Sequence, residues 1–208
     1  MKTAIVTIND YTNFGNKLQN YAAIKIIKSL NCEVNTLVTN KQNDVIKAHL
    51  KLIINKIFFN RLSKTPNIKR RIIRFHKFDK KFLNTSNKYI NGKLNPNNYD
   101  YFVVGSDQVW NANWFDLDNY RKEAFLLTFA RPEQKVCMAP SFGVSELPKK
   151  WQAYFKKWLR TFPLLSVREE DGAKIIKDLT GQDAEVVIDP TLMLDSSEWE
   201  KIEKAPKI

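Results

Sequence analysis

An α/β fold built on a doubly wound, mostly parallel sheet is the architecture this sequence predicts. Three observations point to it. Short apolar runs alternate with amphipathic helical patterns along most of the chain. The first forty or so residues already read strand, loop, helix, strand, which is a βαβ unit. The apolar runs stop at small or polar residues, the pattern by which an open α/β sheet presents a site at its carboxyl edge.

The elements follow in order. Residues 3–8 form a short buried strand, and a loop over 9–16 enters a helix over about 16–30. Leu18, Tyr21, Ala22, Ile26 and Leu30 recur at helical spacing on one face, and Asn31 stops the helix. Residues 32–39 give a second strand around Val34, Leu37 and Val38. A helical excursion spans 44–83, interrupted at Thr65-Pro66, with Phe75, Phe78 and Phe82 on one face among Arg74, Lys77, Lys80 and Lys81. Residues 84–98, polar and carrying Gly92 and Pro96, read as a loop. The central strand, Tyr101-Phe102-Val103-Val104, halts at Gly105 and is followed at once by Ser106, Asp107, Gln108, Val109 and Trp110. Gly105 is either a plain turn or a point of close backbone approach, and Trp110 either packs or meets a ligand. Residues 111–120 make an aromatic, acidic connection, and 125–129 a short strand or a surface segment.

A strand over 135–139 then ends in Pro140-Ser141-Phe142-Gly143. Pro148 opens a helix whose Trp151, Tyr154, Phe155, Trp158, Leu159 and Phe162 share a face, a core stripe rather than a base-stacking platform. Residues 164–167 are a strand leading straight into Arg168-Glu169-Glu170. A helix over 171–179 ends at Gly181, and 184–188 is the last strand, before Asp189-Pro190-Thr191. In the exit segment 192–208, Ser196-Ser197-Glu198-Trp199 can start another helix. The expected organisation is one α/β domain over 1–191 with a basic helical insertion at about 41–93, and 192–208 as the start of a linker.

Composition narrows the function classes. The 208 residues are 43% hydrophobic, enough for a substantial core. The two cysteines, Cys32 and Cys137, sit in apolar segments and read as buried thiols of a reducing compartment, not a disulfide framework. Neither a secretory leader nor an apolar run of about 20 residues is visible, so a cytoplasmic protein is expected. The net charge of +12 is concentrated: residues 41–93 hold fifteen Lys or Arg against Asp44 and Asp79, leaving nineteen basic and twenty acidic residues elsewhere. That stretch is either a solvated helical face or a contact for an anionic partner, such as nucleic acid, phosphorylated substrate or the inner face of a membrane. His49 and His76 lie within it without Cys, Asp or Glu at ligand spacing, so surface histidines are expected and no metal site.

A parallel sheet brings its strand ends to one edge, which gathers Asn13, Gly15 and Asn16, Gly105, Ser106 and Asp107, Ser141, Arg168 and Asp189. The start of the first helix can cap itself through Asn13 or Asn16, or offer N–H groups to an anion. Its single glycine is not a dinucleotide fingerprint. Arg168 is the natural fork for a carboxylate or phosphate, or a salt-bridge partner for its acidic neighbourhood. Asp107 and Glu169 are candidate acid/base groups.

Three segments together resemble the polysaccharide pyruvyl transferase family. They are Asn13-Phe14-Gly15-Asn16-Lys17-Leu18-Gln19-Asn20-Tyr21-Ala22, then Val104-Gly105-Ser106-Asp107-Gln108-Val109-Trp110-Asn111, then Ser166-Val167-Arg168-Glu169 with Val187-Ile188-Asp189-Pro190-Thr191. The resemblance covers nearly all of the chain and the first half of such a protein. It implies the Rossmann-like N-terminal domain of a GT-B-like two-domain fold, inactive alone, with the active site in the cleft toward a second domain. It also implies transfer of pyruvate from phosphoenolpyruvate to sugar hydroxyls of a cell-surface glycan or its lipid-linked precursor, forming a ketal. In that scheme Arg168 binds the donor's anionic groups, Asp107 orients or polarises a sugar hydroxyl, and no metal, further cofactor or nucleic acid is required. Two other classes stand beside it: a GT-B-like glycosyltransferase using a nucleotide-sugar, and a non-catalytic nucleic-acid-binding protein using the 41–93 stretch alone.

Overall fold

The computed structural model of the chain describes residues 1–9, 13–38, 74–89, 94–115 and 119–203. Five strands form one sheet: β1 (Lys2–Val6), β2 (Glu33–Val38), β3 (Thr85–Tyr89), β4 (Tyr101–Val104) and β5 (Lys135–Cys137). Their order is β3-β2-β1-β4-β5 and every pairing is parallel. A second parallel pair, β6 (Ser166–Val167) with β7 (Glu185–Val186), abuts the end of β5. There Ser166 Oγ donates to the Cys137 carbonyl at 3.2 Å and Arg168 N to the Pro140 carbonyl at 3.2 Å.

The helices are α1 (Phe14–Ser29), α2 (Asn119–Phe125), α3 (Lys149–Leu159), α4 (Glu170–Thr180) and α5 (Ser196–Glu200). They cover both faces of the sheet. Successive strand residues point to opposite sides, so Ala4, Val6, Phe102 and Val104 join one core with Phe155, Leu159 and Ile176 of α3 and α4. Ile5 and Val103 join the other with Tyr21, Ile24 and Ile27 of α1. Burial on both faces is why β1 and β4 read as unbroken apolar runs rather than alternating ones.

The path of the chain decides where a site can lie. It leaves β1 for β2 and β3 on one side, then crosses back to β4 and β5 on the other. The reversal lies between β1 and β4, and the carboxyl ends of strands at such a reversal are where open α/β sheets form a ligand crevice.

Several expectations needed correction. The polar stretch 84–98 is not all loop: Thr85–Tyr89 is the edge strand β3. An edge strand packs against a single neighbour, so it needs no apolar run. Residues 125–129 are neither strand nor surface segment. Phe125 closes α2, and Leu126 and Leu127 sit in a fully buried turn. Cys32 and Cys137 are unpaired, as expected, but each is half-buried rather than buried. Burial around the Cys137 thiol pushes its pKa up to about 12.

Of the basic stretch, residues 39–73 and 90–93, including His49, lie outside the described residues. In its described part, residues 74–78 are helical and continue as a π-helical turn, Asp79–Leu83. Phe78 and Phe82 pack on Tyr21 of α1 with ring centroids 6.3 and 5.8 Å away, the shared face the spacing predicts. His76 is exposed, as expected. The helices before Gly181 and from Ser196 also form, and Gly181 ends α4 with a φ of 78°. No helix among the described residues is long and apolar enough to cross a membrane.

Candidate active site at the carboxyl edge of the sheet

The loop after β4 is fixed by contacts only a glycine permits. Gly105 has φ +118°, and a Cβ there would lie 2.1 Å from the Met138 carbonyl oxygen. The Gly105–Ser106 peptide is cis. Gly143, at φ +63°, presents a bare α-carbon to the side chain of Gln108, which a Cβ would meet at 2.6 Å. The Asp107 carbonyl accepts from Val109 N at 2.6 Å and Ser141 N at 3.0 Å, and Trp110 N donates to the Ser141 carbonyl at 3.1 Å. The loops after β4 and β5 are thereby interlocked, which brings Asp107 and Ser141 together. Trp110 packs: it is fully buried, and its indole N–H donates to the Phe125 carbonyl at 3.0 Å.

The start of α1 joins the same rim. Asn13 caps the helix, accepting from Gly15 N at 2.8 Å. Asn16 does not cap; its buried amide donates to Asp107 Oδ2. Asp107 Oδ1 accepts from Gln108 N at 2.7 Å.

Arg168, just past β6, donates from Nη1 to Asp189 Oδ2 at 2.8 Å and to the Ser106 carbonyl at 3.5 Å. Nη2 and Nε make no hydrogen bond to any described residue, and the side chain is 27% exposed. One nitrogen of the guanidinium is therefore pinned, while the side chain stays partly exposed. Asp189 is the hub of this corner. It accepts from Gln19 Nε2 at 2.7 Å, from Ser106 Oγ at 3.5 Å, and from the Thr191 N–H and hydroxyl at 2.9 and 2.7 Å. Burial alone would raise its pKa. The Thr191, Arg168 and Gln19 donors outweigh that and hold the carboxyl below the usual carboxylate range.

The structure thus links Asn13, Gly15, Asn16, Gly105, Ser106, Asp107, Ser141, Arg168 and Asp189 through one chain of contacts. Glu169 joins it differently: its Oε1 accepts from Phe142 N at 2.7 Å and Gly143 N at 3.4 Å, bracing the loop after β5.

Two features lay beyond sequence reasoning. Gln19 is one. The other is Lys17, buried beneath the loop after β1, with its ammonium 2.8 Å from Asp79 Oδ2 and in contact with Asn9 Oδ1. Burial pushes the Asp79 carboxyl up, with the Lys17 charge offsetting part of the effect. These partners lie 62 residues apart in Lys17–Asp79 and 170 in Gln19–Asp189, and no local pattern announces them. Among the described residues, no three His, Cys, Asp or Glu side chains cluster as metal ligands would. A groove of about 730 Å³ between α3 and α4, lined in part by Lys149, Gln152, Asp171 and Lys174, contains none of the rim residues.

Comparison with known proteins agrees with the motif resemblance. No curated protein and no solved structure matches the chain. The family model described as polysaccharide pyruvyl transferase matches residues 13–208, a span that takes in α1, the interlocked loops, Arg168 and Asp189. The chain belongs to the polysaccharide pyruvyl transferase family.

Proposed function

We propose that this chain is the donor-side domain of a transferase that moves pyruvate from phosphoenolpyruvate onto sugar hydroxyls of a cell-surface glycan or its lipid-linked precursor. In this reading the domain is Rossmann-like, the whole protein GT-B-like, and the crevice faces a second domain. The observation that carries the reading is Arg168: a partly exposed fork held through one nitrogen, at the rim where the loops after β1, β4, β5, β6 and β7 meet.

The chemistry asks for three things. Cations must hold the donor's phosphate and carboxylate, and Arg168 supplies a planar, permanently charged fork for one of them. A proton must reach the methylene carbon, which leaves a cation-like centre at C2. A base must then take the proton of the attacking hydroxyl. Asp107 is the carboxylate assigned to orient that hydroxyl, its oxygens held by Asn16 and by Gln108 N. Asn13 and Gly15 are the exposed members of the rim, and Ser106 and Ser141 lie buried beneath it. Asp189 acts as a positioning residue by aiming the guanidinium. Glu169 serves the site by holding the loop after β5 and, in the same scheme, stands as the second carboxylate. No metal is invoked.

The test is a pyruvylation assay of the full-length protein with candidate glycans, following phosphate release from phosphoenolpyruvate and the mass gain of the glycan. Stoichiometric phosphate release with ketal formation is expected. Transfer of a sugar from a nucleotide-sugar, with phosphoenolpyruvate inert, would refute the proposal.

A further inference from the structure

One face of the molecule carries a pattern that the transfer chemistry does not use. α3 and the residue after it read Lys149-Lys150-Trp151-Gln152-Ala153-Tyr154-Phe155-Lys156-Lys157-Trp158-Leu159-Arg160, without an acidic side chain. Phe155 and Leu159 are buried in the core, whereas Lys149, Lys150, Lys156, Lys157 and Arg160 are exposed. At about 100° per residue the five cations fall on one arc of the helix, with only Ala153 among them. Arg160 is tied to the Thr180 carbonyl at 3.3 Å, and the four lysines project from the exposed side.

Trp151, Tyr154 and Trp158 lie half-buried along one border of that arc. Lysine ammonium groups sit over their rings: Lys157 over Trp158 at 4.9 Å, Lys150 over Trp151 at 5.8 Å, and Lys122 of α2 over Tyr154 at 5.6 Å.

From this arrangement we propose that α3 is a docking face for an anionic lipid surface, with the helix lying parallel to the bilayer plane. The cationic arc complements an anionic leaflet. Amphipathic Trp and Tyr rings beside flexible lysine stems suit the headgroup layer. Because the apolar side of α3 already faces the protein core, attachment is electrostatic and interfacial, hence reversible and sensitive to salt. Nucleic acid is the poorer match. Base stacking needs open ring faces, and here lysines cover the faces of rings that are already half-buried. This face is separate from the Arg168 rim, and the inference stands apart from the identity of the transferred group.

The experiment is co-sedimentation of the full-length protein with vesicles of phosphatidylcholine alone, or of phosphatidylcholine containing phosphatidylglycerol. Binding to the anionic vesicles alone, released by high salt, is expected. The double substitution Lys156→Gln with Lys157→Gln lowers partitioning roughly thirtyfold. Charge reversal at Lys149, Lys150, Lys156 and Lys157 abolishes it, with circular dichroism unchanged. The same number of neutralisations within residues 41–93 has the smaller effect. In the unsubstituted protein, brominated-chain lipid quenches tryptophan fluorescence, a readout independent of any variant's folding. The proposal is overturned if the α3 variants sediment like the parent, if quenching is absent, or if single-stranded oligonucleotide binds more tightly than anionic vesicles at matched salt.

Discussion

Single residues set the limits of what this molecule tolerates. Gly105 is the sharpest case, since its α-carbon faces a backbone carbonyl that cannot swing aside. Gly105→Ala should cost about 2–4 kcal/mol of stability, read as a shift in the denaturation midpoint, because strain from positive φ adds to a clash with main chain. Lys135 makes a different prediction. Its side chain is buried against the rings of Trp158 and Phe162 and donates to Thr161 Oγ1 at 2.7 Å, with no carboxylate paired to it among the described residues. Burial pulls its pKa from the ordinary 10.5 down to about 8. Between those values the unfolded chain binds the extra proton, so stability rises with pH across the window. Below about pH 8 the folded state carries the full penalty. Relative to a Lys135→Met variant, which lacks this titration, the parent should gain on the order of 3 kcal/mol between pH 7 and 10.5, measured by chemical denaturation at each pH.

At the scale of elements, what the sequence discloses depends on whether its signal is local. α1 was legible because its apolar residues repeat at helical spacing, and β4 because an apolar run meets a glycine. Arg168 and Asp189 are legible because one directly follows an apolar strand and the other comes three residues after the end of the next. β3 was hidden because Thr85-Ser86-Asn87-Lys88-Tyr89 is polar and pairs with one neighbour only. α2 was hidden because its apolar residues cluster at its end, Ala124 and Phe125, instead of recurring along it. The brace between α1 and the π-helical turn was invisible because Lys17 and Asp79 are joined only by the fold. That brace yields its own prediction. Lys17→Met leaves a buried carboxylate unpaired and should cost about 3–5 kcal/mol, whereas Lys17→Met combined with Asp79→Leu should recover much of the loss. A double-mutant cycle by denaturation measures it. An additive result would mean the pair contributes no coupling.

For the whole molecule, strand order is what turns scattered polar residues into a site. The order reverses between β1 and β4, the loops after β4 and β5 interlock there, and β6 delivers Arg168 beside them. Loops distant in sequence come to share one hydrogen-bonded network because β1, β4 and β5 are parallel neighbours and the separate β6–β7 pair packs on the end of β5. The most direct test of this account is calorimetric titration of phosphoenolpyruvate into the full-length protein and into its Arg168→Gln variant, with thermal midpoints recorded for both. The account predicts binding to the parent and a loss of about 10- to 100-fold in affinity for a folded variant, the worth of charge-assisted hydrogen bonds to an anion. Equal affinity in the two proteins would contradict it.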